Sequence, residues 1–94
     1  MKKFNGSPAP WRINAVDYHD YGLIDAEGGE IMLLKAECEQ DDHNASLIAA
    51  APELLESLQL AEKAMAEGRN VTYPEWYGVI NKARAAISKA LGEE

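Results

Sequence analysis

A proline at position 52 falls in the middle of an otherwise unbroken helix-forming run, Asn44-Ala-Ser-Leu-Ile-Ala-Ala-Ala-Pro-Glu-Leu-Leu-Glu-Ser-Leu. Proline has no amide hydrogen, and its ring crowds the carbonyl four residues earlier, so a straight helix does not pass through it undisturbed. It is well suited to the first turn of a new helix. The run therefore predicts either a short helix over 44–51 turning into a longer one over 52–67, or one kinked helix. It also divides the chain: residues 11–37 read as strands and turns, residues 53–91 as helices.

In the first half, residues 1–10 carry Gly6, Pro8 and Pro10 and read as a flexible arm. From Trp11 to Val16 the chain alternates, with Trp11, Ile13 and Ala15 on one side and Arg12 and Asn14 on the other, the pattern of a half-buried strand. Asp17-Tyr-His-Asp20 is a polar turn, and Tyr21 to Ala26 a second strand. Gly28 and Gly29 supply the positive φ that a hairpin turn demands. Ile31 to Lys35 is a third strand, apolar on both faces over Ile31-Met-Leu-Leu34, which predicts cover on both sides. Three consecutive strands are most economically joined as an antiparallel meander.

In the second half, Glu39-Gln-Asp-Asp-His43 reads as a connector in which Asp41, Asp42 or Asn44 caps the following helix. Leu47, Ile48, Ala51, Leu54, Leu55, Leu58, Ala61 and Met65 recur at steps of three and four and make one apolar stripe. Gly68 ends that helix, and Arg69-Asn70-Val71 is a short loop. Thr72-Tyr-Pro-Glu75 fits a capping box with proline in the first turn, opening a helix from about Tyr73 to Leu91. Its apolar face is Trp76, Val79, Ile80, Ala83, Ile87, Ala90 and Leu91, with Gly92 suited to the C-terminal cap. A short loop between two long helices makes them antiparallel neighbours. The expected fold is α+β in one domain over 1–94: a three-stranded meander (11–37), then a helical part (44–91) forming a hairpin packed on the sheet.

Composition narrows the function. The net charge is −7, with seven acids and four bases in residues 1–40 and nine acids and five bases in 41–94, so the acidity is spread along the chain. Such a surface repels phosphate backbones and argues against nucleic-acid binding. The single Cys38 rules out an internal disulfide and fits a reducing cytoplasm. Lys2 and Lys3 are followed by no apolar run, so no signal peptide is expected, and no stretch has the length and apolarity of a membrane span. A domain this small has a modest core, which self-association supplements.

Three constellations invite a chemical reading. Cys38, Asp41, Asp42 and His43 mix metal-binding types, but a site needs three or four ligands and His19 lies in a distant turn, so the cluster reads as a polar helix-capping connector and no metal is expected. Asp17, His19 and Asp20 place a histidine among carboxylates, as a general base requires, yet no nucleophile or Gly-x-Ser-x-Gly accompanies them, and turns are polar anyway. The glycines match neither phosphate-binding pattern, so no nucleotide cofactor is expected. No catalytic residue emerges. The aromatic content is more informative. Tyr73, Trp76, Tyr77 and Ile80 follow helical spacing, which first of all means core; but Tyr73 and Tyr77 stand at the edge of the apolar face, where an exposed tyrosine–tryptophan edge suits a protein interface. Trp11, Tyr73, Trp76 and Tyr77 are the candidate contact residues.

The run from Asn44 through Leu58 resembles a helix segment of a family of small phage and prophage proteins, in which a strand-rich half with a tryptophan leads into an Asn-Ala-x-Leu-Ile-Ala-Ala-Ala-Pro-Glu-Leu-Leu-Glu helix. Trp11, Asp25-Ala-Glu-Gly-Gly and the alanine-rich Lys82-Ala-Arg-Ala-Ala-Ile-Ser-Lys-Ala are similar too. The resemblance implies a cytoplasmic protein of a phage or mobile element in a bacterial host, and it carries over no catalytic or binding residue. Together these readings give a non-enzymatic phage accessory module that self-associates and engages a host protein. The alternatives are an acidic inhibitor of a host defence or DNA-binding protein, and a protein that sequesters a small ligand.

Overall fold

The computed structural model describes residues 3–15, 19–68 and 71–93. Val16, Asp17 and Tyr18, where the first strand and the polar turn were placed, and Arg69 and Asn70 of the expected loop lie outside the described residues. The elements are β1 (Arg12–Ala15), β2 (Asp20–Ile24), β3 (Glu30–Lys35), α1 (Glu39–Ala49), α2 (Ala51–Glu67) and α3 (Tyr73–Ala90). This is the expected α+β order.

The three strands form an antiparallel sheet in chain order. Ile13 faces Leu23, which faces Met32, and Ala15 faces Tyr21, which faces Leu34. These side chains share one face. Leu23 at its centre is the one large side chain fully removed from solvent among the described residues. The β2–β3 turn is held by Asp25, whose Oδ1 accepts from the amides of Glu27 and Gly29, both at 2.9 Å. Gly28 takes the positive φ of +86° that this turn needs. A bulge after Leu23 slips the register so that Ile24 meets Glu30.

α1 lies across the Leu23 face, meeting β1 and β3. The helical part thus packs on the sheet through its first helix. The Tyr21 hydroxyl donates to Asp42 Oδ1 at 2.5 Å and ties the two layers together. Among the described residues the other face carries no helix, and β3 is an edge strand. Met32 and Leu33 are therefore each half exposed, which corrects the expectation that the third strand is covered on both sides.

α1 begins at Glu39, five residues before the expected start, with Cys38 as its cap and no side-chain cap bond there. None of Asp41, Asp42 and Asn44 caps the helix. Asp41 lies inside the first turn, and its Oδ2 accepts from the Glu37 amide at 3.0 Å, reaching back over the helix start. At the other end, Pro52 separates two helices. Ala50 ends α1 with its amide shared between Ser46 O and Leu47 O, each at 3.2 Å, and its carbonyl accepts from Leu54 N at 2.9 Å as α2 begins. Pro52 occupies the first turn of α2, where no hydrogen bond is lost.

α2 ends at Gly68, whose φ is +56°. α3 is capped by Thr72, whose Oγ1 accepts from Glu75 N at 3.4 Å, as the capping box predicts. The two helices run antiparallel in a register fixed by three contacts: Ser57 Oγ to Lys82 O at 3.2 Å, Lys82 Nζ to Glu56 Oε1 at 2.9 Å, and Lys89 Nζ to Glu53 Oε1 at 2.8 Å. The seam between them is lined by small residues, with Ser57, Ala64 and Ala86 buried. Short side chains let the backbones approach closely, and the long ones are left outside. Leu47, Leu55, Leu58 and Met65 of the apolar stripe, and Ile80, Ile87 and Leu91 of the α3 face, are all exposed.

The arm has no regular structure over residues 3–10 but is tied to the body. Pro8 O accepts from Ala26 N at 3.0 Å, and Ser7 O accepts from Trp11 Nε1 at 3.1 Å. The molecule is a thin plate of 51 × 26 × 16 Å with a radius of gyration of 15.5 Å, against roughly 12 Å for a compact domain of this length.

Candidate functional site

The hairpin α2–α3 has two unlike sides, and the 100° turn per residue separates them. On α2, Ser57 points at α3; Glu56 one residue earlier and Leu58 one residue later therefore flank it on opposite sides. On α3, Ala85 and Ile87 flank the buried Ala86 in the same way. Glu53, Glu56, Lys82, Ala85 and Lys89 line one shallow groove with Ser57 and Ala86, and its ion pairs are Glu53–Lys89 at 2.8 Å and Glu56–Lys82 at 2.9 Å. That is the polar side. Leu58 and Ile87 belong to the other side.

On that other side the exposed residues of α2 step as Ala51, Leu55, Leu58, Glu62 and Met65, and those of α3 as Tyr73, Tyr77, Ile80, Arg84, Ile87 and Leu91. Both series alternate intervals of four and three, the spacing of a seam that meets another helix. Leu58 and Met65 are 66% and 63% exposed, so most of each residue is in water.

The four aromatic candidates do not converge. Tyr73 and Tyr77, 73% and 53% exposed, pair edge to face with ring centroids 4.9 Å apart and hydroxyls at 3.4 Å. That hydrogen bond, with a smaller contribution from desolvation, raises the Tyr77 pKa. Trp76 sits half-buried between them in sequence. Trp11 lies at the far end of α3, where its carbonyl accepts from Lys89 Nζ at 3.2 Å. Sixteen residues of helix separate Lys89 from Tyr73, about 24 Å. Trp11 is also engaged by the arm, with the Phe4 ring 6.3 Å away in an edge contact. The structure thus brings Tyr73, Trp76 and Tyr77 to one end of the hairpin and leaves Trp11 at the other. Leu55, Leu58, Met65, Ile80 and Ile87 join the tyrosines to make the face; the sequence marks them as apolar stripes, and periodicity does not say whether the protein or a partner covers such a stripe.

Asp41 and Asp42, beside His43, make structural hydrogen bonds, while Asp17 of the His19 turn lies outside the described residues. Asp42 takes the Tyr21 hydroxyl, which raises the tyrosine pKa, the hydrogen bond being the largest cause. The Asp41 carboxyl is held below the usual range chiefly by the Glu37 amide and further by Cys38. His43 Nε2 stands 3.6 Å from Glu39 Oε1, one turn earlier on α1. Among the described residues no three histidine, cysteine or acidic side chains are grouped to hold a metal, and no helix is long and apolar enough to cross a membrane. A second groove of about 310 Å³ runs between α2 and α3, lined by Leu60, Ala64, Val71 and Val79 with Lys63 and Glu67 at its edge, and no tyrosine reaches it.

The architecture defines a small α+β chain whose largest feature is an apolar helical face. Over residues 1–94 the chain matches the model of the Salmonella phage P22 protein Y8K6 family, and it belongs to that family of phage proteins. No curated protein and no solved structure matches it.

Proposed function

We propose that this phage protein is a non-enzymatic accessory module that works by binding protein, and that it self-associates. The observation that carries this reading is the inversion of its burial: the described apolar core is Leu23 and five alanines, while Leu58, Met65, Tyr73, Tyr77, Ile87 and Leu91 are on the surface. Large apolar side chains gathered on one exposed face are the mark of an interaction site. The tyrosine pair, with an apolar body and a polar tip, suits the rim of such a contact. Binding is the activity that this exposed apolar face supports.

The test is the mass of the native protein and of the Tyr73→Ala/Tyr77→Ala double variant. Both tyrosines are exposed on the first turns of α3, so their removal leaves the fold intact. The wild type is expected as an oligomer, and the double variant is expected to associate more weakly with an unchanged circular dichroism spectrum. A double variant that associates like the wild type removes the tyrosines from the contact; a wild type that stays monomeric with nothing bound removes self-association.

A further inference from the structure

We infer that the occupant of the apolar α2–α3 face is the same face of a second copy, the two hairpins forming a four-helix bundle. This deepens the proposed self-association by assigning it a surface, and it rests on that reading.

Three observations single out a second copy. The first is the spacing. Both helices carry an exposed 4-3-4-3 series on one side of the hairpin, Ala51 to Met65 on α2 and Tyr73 to Leu91 on α3. Two parallel grooves of this period accept the ridges of two helices. An antiparallel pair of the same period is what the face itself offers. The second is area. A face about 27 Å long and about 20 Å wide gives roughly 500 Å² per copy, and two copies together reach roughly the 1,000 Å² at which specific interfaces begin. The third is charge. The chain carries −7 in all, so two copies repel through most of their surface. The apolar face bears one acid, Glu62, and one base, Arg84, and so is neutral. Neither forms an ion pair among the described residues, whereas Glu53, Glu56, Lys82 and Lys89 on the opposite side are paired within the hairpin.

The geometry points to an isologous interface, as a two-fold dimer requires. The Ser57–Lys82 contact sets Glu62 opposite Tyr77 and Arg84 opposite Leu55 within one hairpin, with Leu58 and Ile80 near its midpoint. Leu58, Met65, Ile80 and Ile87 then supply the buried layers. Arg84, seven residues from Tyr77 on the same series, is placed to cross that region of a neighbouring hairpin with its charge at the rim.

The test uses the full chain in sedimentation equilibrium over a range of micromolar concentrations. The wild type is expected at twice the 10.3 kDa chain mass. Leu58→Glu is expected to weaken the dimer by ~100-fold or more, since it removes two buried leucines and installs two carboxylates per interface. Lys63→Glu, on the polar side and a larger change in charge, is expected to dimerise like the wild type. The wild type also provides a readout independent of any variant. Hydroxyl-radical oxidation of Met65 is expected to slow as the dimer fills, while that of Met32, on the sheet, is unchanged. A monomeric wild type overturns this inference together with self-association. A dimer that survives Leu58→Glu, or in which Met65 oxidises as fast as in the monomer, overturns this face alone and leaves self-association through another surface. A mass of one chain plus that of a bacterial protein, with Met65 protected, assigns the face to a host partner and overturns the second copy.

Discussion

Lys89 Nζ lies 2.8 Å from Glu53 Oε1 and 3.2 Å from the carbonyl oxygen of Trp11, so one ammonium joins α3, α2 and the start of β1. Both side chains are less than a third exposed, and Glu53 Oε2 is buried with no hydrogen-bond partner among the described residues. The carboxylate depends on that single cation. Lys89→Ala is expected to destabilise the fold by about 1–3 kcal/mol, because it leaves a largely desolvated charge uncompensated. The double replacement Glu53→Leu/Lys89→Met is expected to lie within about 1 kcal/mol of the wild type, since no charge is then stranded. Urea unfolding of the three proteins checks this, and a single variant as stable as the wild type refutes it.

The pH response follows from α1. Asp41 has a folded pKa below its unfolded value, so its contribution is complete above the unfolded carboxylate range, about pH 4, and is lost as pH falls through the folded value. Tyr21 has the opposite sign: its folded pKa is raised, so its contribution is complete below about pH 10 and is lost as pH rises through the folded value. Asp41→Asn is therefore expected to flatten the acid limb of a thermal stability profile, and Tyr21→Phe the alkaline limb. Exchanged effects, or none, refute the assignment.

Two glycines separate backbone strain from space. A Cβ at either Gly28 or Gly78 meets nothing within 4 Å, but Gly28 has a φ of +86° and Gly78 is helical. Gly28→Ala is expected to cost about 1–2 kcal/mol from the left-handed conformation alone. Gly78→Ala is expected to add about 1 kcal/mol, the helix propensity gained in α3. Chemical denaturation of both variants measures the two signs.

Much of the fold was legible in residues with a single conformational use. Gly28 set the hairpin with its positive φ, which Gly29 does not share, Pro52 broke the helix, and Thr72 with Glu75 opened α3 where the capping box placed it. The start of α1 was not legible. Its cap is Cys38, which makes no side-chain cap bond, and its first turn is Glu39 to Asp42, with no apolar residue to start a helical period. The candidate site was legible as a pattern but not as a surface. Leu55, Leu58 and Ile87 keep a helix period whichever way they point, and the true interior of the hairpin is written in Ser57, Ala64 and Ala86, residues whose own hydropathy is too weak to mark a core.

The small size of the buried side chains reverses the usual map of tolerance. Ala45, Ala49, Ala50, Ala64 and Ala86 are the buried alanines of the helical part, and even one added methylene at such a packed position strains the structure. Replacing residues one at a time by alanine would pass over these positions without registering them, since nothing there changes. Enlargement finds them instead: substituting leucine along α1, α2 and α3 would lose the fold at the buried alanines and spare the exposed positions, tracing the core by what it refuses rather than by what it loses.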